Sequence, residues 1–323
     1  MVRFSAIVAG VASGFLAAAI AFAQDAPAGS SQTPETVTVT GMRLKDQKAL
    51  LDTIDQFVDL HSARDRKSGL LVRDAPAGVC PITMGLPDAY NQFITQRILT
   101  VAKQVGAGAQ EAGKCHANVE IVFTNDPQGV VTLLSDRTRG GILGYHFLHE
   151  KGSVIHVYRP IQAWYVTGTK GDPESKSVDI GNDGTSEGTH TKLRIDDAYG
   201  QSPNTGTGSR IQPRNSSQIV NALIVADLNK VGGTEIGPLS DYVTMLALSQ
   251  PQSLDGCNDF SSILDRMSTA CAVRDTPETL TTGDIAYLKA LYAADITTSA
   301  ARGSENVASG MNANLAQPAA QQH

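Results

Sequence analysis

The spacing of apolar and polar positions changes several times along this chain, and each change predicts an element. Residues Ala6 to Ala21 form an uncharged run rich in Ala, Ile, Val and Leu. Arg3 precedes it, and Ala21-Phe22-Ala23 follows as a small-residue cleavage site before Gln24. The run is too short and too Gly-interrupted for a membrane anchor, so residues 1–23 read as a signal peptide. No Cys follows the cleavage site, which leaves no place for a bacterial lipid anchor. Residues 24 to 34 are mostly Ala, Pro, Ser and Gln and read as a disordered spacer. Thr36-Val37-Thr38-Val39-Thr40-Gly41 then alternates as a short strand would.

From Arg43 the period becomes helical. Leu44, Leu50, Leu51, Ile54, Phe57 and Val58 predict a helix over 43–63. Pro87-Asp88 starts a second helix with the stripe Tyr90, Phe93, Ile94, Ile98, Val101 and Val105, and Gly106 stops it. Val119 to Thr124 alternates as a strand, and 128–138 is helical again. His156-Val157-Tyr158 and Ala163-Trp164-Tyr165-Val166 read as strands broken at Pro160. Residues 170–218 form a long polar loop, with one strand candidate at Thr191 to Ile195. Ile219 to Ala226 is a buried-strand run, and Gly237-Pro238 opens a helix to about Ser249. Thr281 and Asp284 form a capping box for a helix with Ile285, Leu288 and Leu291 inward. Residues 300–323 return to low complexity and read as a disordered tail. The expected fold is α+β, a mixed sheet with packed helices, as one domain over 43–299.

Composition narrows the partners. The 26 basic and 32 acidic residues give a net charge of −6, and cleavage after Ala23 removes Arg3 and makes it −7. That excludes nucleic acid as the expected partner, and no insertion into a membrane is expected after cleavage. Cys80, Cys115, Cys257 and Cys271 are an even set, and in an oxidising compartment they read as disulfides. Three connectivities are possible; the sequence-local pairs Cys80–Cys115 and Cys257–Cys271 are favoured. C-x-x-C spacing is absent, which argues against a thiolate metal site.

Candidate chemistry is sparse. His146 and His149, with Glu150 and His156 nearby, form the best metal candidate, because histidines three apart share a helix face. The order H-x-x-H-E matches no zinc-peptidase signature, and the surrounding glycines weaken the helix. Asp179 to Glu187 lacks the register of a calcium loop, and Gly168 to Gly171 lacks phosphate-loop spacing. No G-x-S-x-G elbow occurs.

Thr36 to Gly41 resembles the TonB box of alphaproteobacterial outer-membrane receptors, which implies docking to an envelope protein by strand addition. Asn118 to Thr124 with Arg159 to Tyr165, and Leu223 to Asp227 with Leu239 to Leu248, resemble a family of exported alphaproteobacterial proteins to which no activity is assigned. Ser262-Ile263-Leu264 and Leu280 to Tyr292 complete that match. The closing L-T-x-x-D-x-x-x-L-x-x-L-Y pattern is also similar to the element after the active-site helix of secreted metzincin zinc peptidases. This resemblance implies a zincin-like scaffold, and it places H-E-x-x-H-x-x-G-x-x-H from Ser240. Ser240, Thr244 and Gln250 then stand where the histidines would, with Asp241 at the general-base position and Ala247 at the glycine.

The leading expectation is therefore a periplasmic or secreted, non-catalytic binding or accessory module without a cofactor. The alternative is a secreted metal-dependent hydrolase using His146, His149 and His156. A third is a carbohydrate- or peptide-binding domain with its ligand under loop 170–218.

Overall fold

The computed structural model describes residues 44–65, 69–73, 78–110, 114–138, 141–144, 151–170, 216–257, 259–268, 270–271, 276–294 and 300–316. They all belong to one compact unit, Arg43–His323. The signal peptide, the spacer, the Thr36 to Gly41 strand and the Thr191 to Ile195 strand fall outside these residues.

Five strands form the main sheet: β1 (Val72–Arg73), β2 (Pro81–Met84), β3 (Val119–Thr124), β4 (Ile161–Lys170) and β5 (Ser216–Asp227). Among the described residues, six helices of twelve residues or more surround it: α1 (Leu44–His61), α2 (Asp88–Val105), α3 (Pro127–Thr138), α4 (Ile236–Leu248), α5 (Thr282–Ala293) and α6 (Ala300–Leu315). β2, β3 and β5 run parallel, and β4 lies antiparallel on the far edge of β5. Because β4 covers one edge of β5 along nearly its whole length, β1 and β3 share the other edge end to end. The result is the expected α+β class, with a sheet that is mostly parallel.

The apolar run of β5 follows from burial on both faces. Ile224 and Ala226 face the large core with Ile121 and Phe123 of β3, under α1, α2, α4, α5 and α6. Leu223 and Val225 face a smaller core with Trp164, Val131 of α3 and Leu143. Alternation within one strand thus serves two layers. β2, α2 and β3 make one parallel crossover unit, closed by the left-handed Gly106 after α2. Gly85 (φ 97°) is required where β2 ends, because a Cβ there would run into the Phe123 carbonyl. Asn118 holds the start of β3 against β2: its Oδ1 accepts from Cys80 N (2.8 Å), and its Nδ2 donates to the Gly78 carbonyl (2.8 Å). Both disulfides, Cys80–Cys115 and Cys257–Cys271, join the expected partners. They fit an extracytoplasmic protein. Among the described residues no helix is long and apolar enough to cross a membrane.

Several expectations are corrected. The tail is not wholly low-complexity coil, because α6 folds onto α1 and α5 with Val307, Ala308 and Met311 buried. Small residues permit the close approach: a Cβ at Gly310 would lie 3.0 Å from the Ala290 Cβ. His156-Val157-Tyr158 is not a strand. Side-chain amides satisfy that backbone instead: Gln128 Oε1 accepts from Val157 N (3.0 Å), and Gln162 Oε1 accepts from Tyr158 N (3.2 Å). The polar loop is shorter than expected, since Gly168 to Lys170 pair with Gln218 to Ser216 and extend both strands into it. The stripe of α2 is buried only from Ile94, and Tyr90 and Phe93 are 49% and 47% exposed.

Candidate functional site

The helix α4 carries the positions that the metzincin resemblance assigns to zinc. α4 is buried on every side from Pro238 to Leu248. A helix end leaves its last four carbonyls without helical partners. Here all four are satisfied by groups from outside the helix. Ser249 donates to the Met245 carbonyl through N (3.0 Å) and Oγ (2.7 Å). Tyr165 Oη donates to Leu246 O (2.8 Å), Arg73 Nη2 to Ala247 O (3.4 Å) and Tyr292 Oη to Leu248 O (2.8 Å). Burial pushes the Tyr292 phenol up to about 12 and the Tyr165 phenol higher still, so both stay protonated donors.

Of the side chains at the positions that the resemblance assigns to zinc, Thr244 and Asp241 are bonded within the fold, whereas Ser240 Oγ and Gln250 Oε1 are buried without a hydrogen-bond partner among the described residues. Thr244 Oγ1 donates to the Ser240 carbonyl (2.7 Å) one turn back. Asp241, 3% exposed, is clasped by Arg97 through Nε to Oδ1 and through Nη2 to Oδ2 (3.1 Å). It also accepts from Leu280 N (2.9 Å), the first residue of the L-T-x-x-D pattern. Gln250 lies beyond the end of the helix, and its carbonyl accepts from Ala63 N (2.9 Å). Two neutral hydroxyls, one already bound to backbone, and a carboxylate held by a guanidinium do not fit a zinc ion. The Asp of the pattern, Asp284, anchors the 3₁₀ turn Ile263–Met267. Its carboxylate accepts from Ser262 Oγ (2.7 Å), Ile263 N (3.0 Å) and Thr281 N (2.9 Å). Burial pushes this carboxyl above its ordinary range, and those donors pull it back.

Beside the end of α4 lies a cleft of about 270 Å³. Tyr158, Arg159, Gln162, Ala163 and Tyr165 line one wall, and Leu246 with residues 251–255 line the other. Arg159 Nη2 crosses it to Asp255 Oδ2 (2.6 Å), with its guanidinium 5.4 Å from the Tyr158 ring centre. Among the described residues, β4 carries a strand on one edge only, and Gly144 packs close against its Tyr165 carbonyl. The described walls offer the polar side chains of Arg159, Gln162 and Asp255. They do not pair a nucleophile with a base.

The chain matches no protein-family model, no curated protein and no solved structure.

His146, His149 and Glu150 lie outside the described residues, and His156 is exposed, with its carbonyl accepting from Gln162 Nε2 (2.8 Å). Among the described residues, the metal-type side chains that come together are Cys257, Asp265 and Cys271. Sequence reasoning missed Arg73, Arg97, Arg159, Tyr165 and Tyr292. One signal was available for the phenols: Tyr inside an apolar run needs a hydrogen-bond partner for its hydroxyl.

Proposed function

We propose that this protein is an exported, non-catalytic binding module on a zincin-like scaffold whose zinc helix has become a packing element. One observation carries the reading: Asp241, at the general-base position, is buried in a two-bond ion pair with Arg97, and Thr244 is bonded to backbone. Neither is left to hold a metal or activate water. The adjoining cleft favours an extended peptide as ligand, since the extended strand β4 lines one wall of it and Arg159 and Asp255 supply polar anchors. Thr36 to Gly41 would dock an envelope partner by strand addition in the same mode. The periplasm or the medium is the proposed location.

The test is the zinc content of mature residues 24–323, purified oxidised from the periplasm without chelator, together with a screen for bound extended peptides. The expected result is no stoichiometric zinc and peptide binding weakened at least tenfold by Arg159→Ala. Near-stoichiometric zinc, lost in His146→Ala or His149→Ala, would overturn the reading in favour of a metal-dependent hydrolase. Unchanged recovery of the envelope partner after deletion of residues 24–42 would sink the docking strand.

A further inference from the structure

The disulfide Cys257–Cys271 closes a loop around the 3₁₀ turn Ile263–Met267. Inside that loop Asp265 is buried, and its Oδ1 lies 3.4 Å from Cys271 Sγ. A disulfide has no S–H to give, so this contact is a carboxylate placed against sulfur rather than a hydrogen bond. Both sulfurs and an Asp265 oxygen lie within 4.8 Å of one another. The carboxylate is oriented from behind: Ser262 N donates to its other oxygen, Oδ2 (3.0 Å), as outer-shell donors do for metal-binding carboxylates.

We propose that Cys257, Asp265 and Cys271 form a redox-gated zinc site, closed by the disulfide when oxidised and able to hold zinc when reduced. The distances suit the metal. Tetrahedral zinc with bonds of about 2.3 Å to sulfur and about 2.0 Å to oxygen sets S and O about 3.5 Å apart. The observed 3.4 Å between Cys271 Sγ and Asp265 Oδ1 already meets this. The two sulfurs would part to about 3.8 Å once their bond is broken. Two thiolates and one carboxylate select zinc over magnesium or calcium, which take oxygen ligands alone.

The gate is a thiol–disulfide exchange with a dithiol reductant. Its thiolate attacks the sulfur of Cys257, the more exposed of the pair, and Cys271 leaves as a thiolate. The second thiol of the reductant then closes its own disulfide and frees Cys257. Two electrons pass into the protein's S–S bond, and the dithiol is oxidised. Zinc binds both sulfurs as thiolates, displacing the thiol proton, and takes Asp265 and one water as its other ligands. Without metal, the Asp265 charge opposes a Cys271 thiolate, which favours the oxidised form. With zinc bound, the same charge becomes a ligand. The C-x-x-C criterion misses the site because the loop fold, not the spacing, brings the three groups together.

The experiment uses the whole mature chain, anaerobic, with and without excess dithiol. Zinc is added, the protein desalted, and metal measured by elemental analysis, with cobalt substitution to detect thiolate-to-metal charge transfer. About one zinc per reduced chain is expected, with the cobalt–thiolate band present. Cys257→Ser should weaken binding at least a hundredfold and Asp265→Asn at least tenfold. The double variant Cys80→Ser/Cys115→Ser should keep the zinc, which separates this site from the other disulfide. Reduced protein that takes up no zinc, folded or unfolded by circular dichroism, overturns the proposal. So does zinc that survives Cys257→Ser, or that disappears in the Cys80/Cys115 double variant.

Discussion

His61 shows how burial outweighs a favourable helix end. It lies in the last turn of α1, where the dipole would favour a cation by roughly 0.3–1 kcal/mol. Its ring is 2% exposed, stacks on Phe57 at 4.1 Å, and donates from Nδ1 to the Phe57 carbonyl (2.8 Å). Burial pulls its pKa down to about 4. Between the unfolded value of about 6.5 and about 4, the unfolded chain holds a proton that the folded protein refuses. Its contribution is therefore complete above pH 6.5 and is lost as the pH falls towards about 4. The loss reaches on the order of 3 kcal/mol. Urea midpoints at pH 7 and pH 5 should show this fall in the native protein and a smaller one in His61→Gln. An equal fall in both would assign the acid sensitivity elsewhere. The sequence did not disclose this residue, because a lone His at the edge of an amphipathic pattern carries no sign of how deeply it will sit.

At the scale of elements, the joints between helices rest on two carboxylates, Asp241 for α2, α4 and the start of α5, and Asp284 for α5 and the 3₁₀ turn. Arg97→Ala would leave Asp241 buried with only the Leu280 N–H. We expect a loss of roughly 2–3 kcal/mol, less than for a fully buried pair because water reaches the guanidinium. Arg97→Lys should restore only part of it, since an ammonium cannot grip both oxygens. Urea denaturation reads both; a loss under 0.5 kcal/mol for the alanine variant would remove the joint from the account. Most elements were legible beforehand, for reasons visible in particular residues. The helical spacing around Ile94 and Ile98, the stop at Gly106 and the Thr281/Asp284 box are local signals, and each folded as read. The partners of Asp241 were not legible, because Arg97 is 144 residues away. Nor was the absence of a strand at His156 to Tyr158, where two glutamine side chains replaced a neighbouring strand.

For the whole molecule, α6 decides whether the large core is closed. The composition of residues 300–323 hid it, since Ala, Ser, Gly and Asn suggest solvent. Yet Ser304, Val307, Ala308, Met311 and Leu315 fall at helical spacing on one side. Ending the chain after Ala294 would uncover the faces of α1 and α5 and forfeit the burial of Val307 and Met311. Those two side chains alone are worth about 3–6 kcal/mol. The shortened protein should melt at a clearly lower temperature and be cleaved by protease within the core; an unchanged melting curve would mean that α6 is dispensable.

The hairpin of β4 and β5 has a different consequence. Lys170 and Ser216 are register partners, so the backbone leaves the sheet and returns to it at a single doorway. The closure entropy of a segment whose two ends are held side by side grows by only about 0.6 kcal/mol for each doubling of its length. The sheet therefore fixes where the connection between β4 and β5 starts and ends, and sets no exact length between those two points.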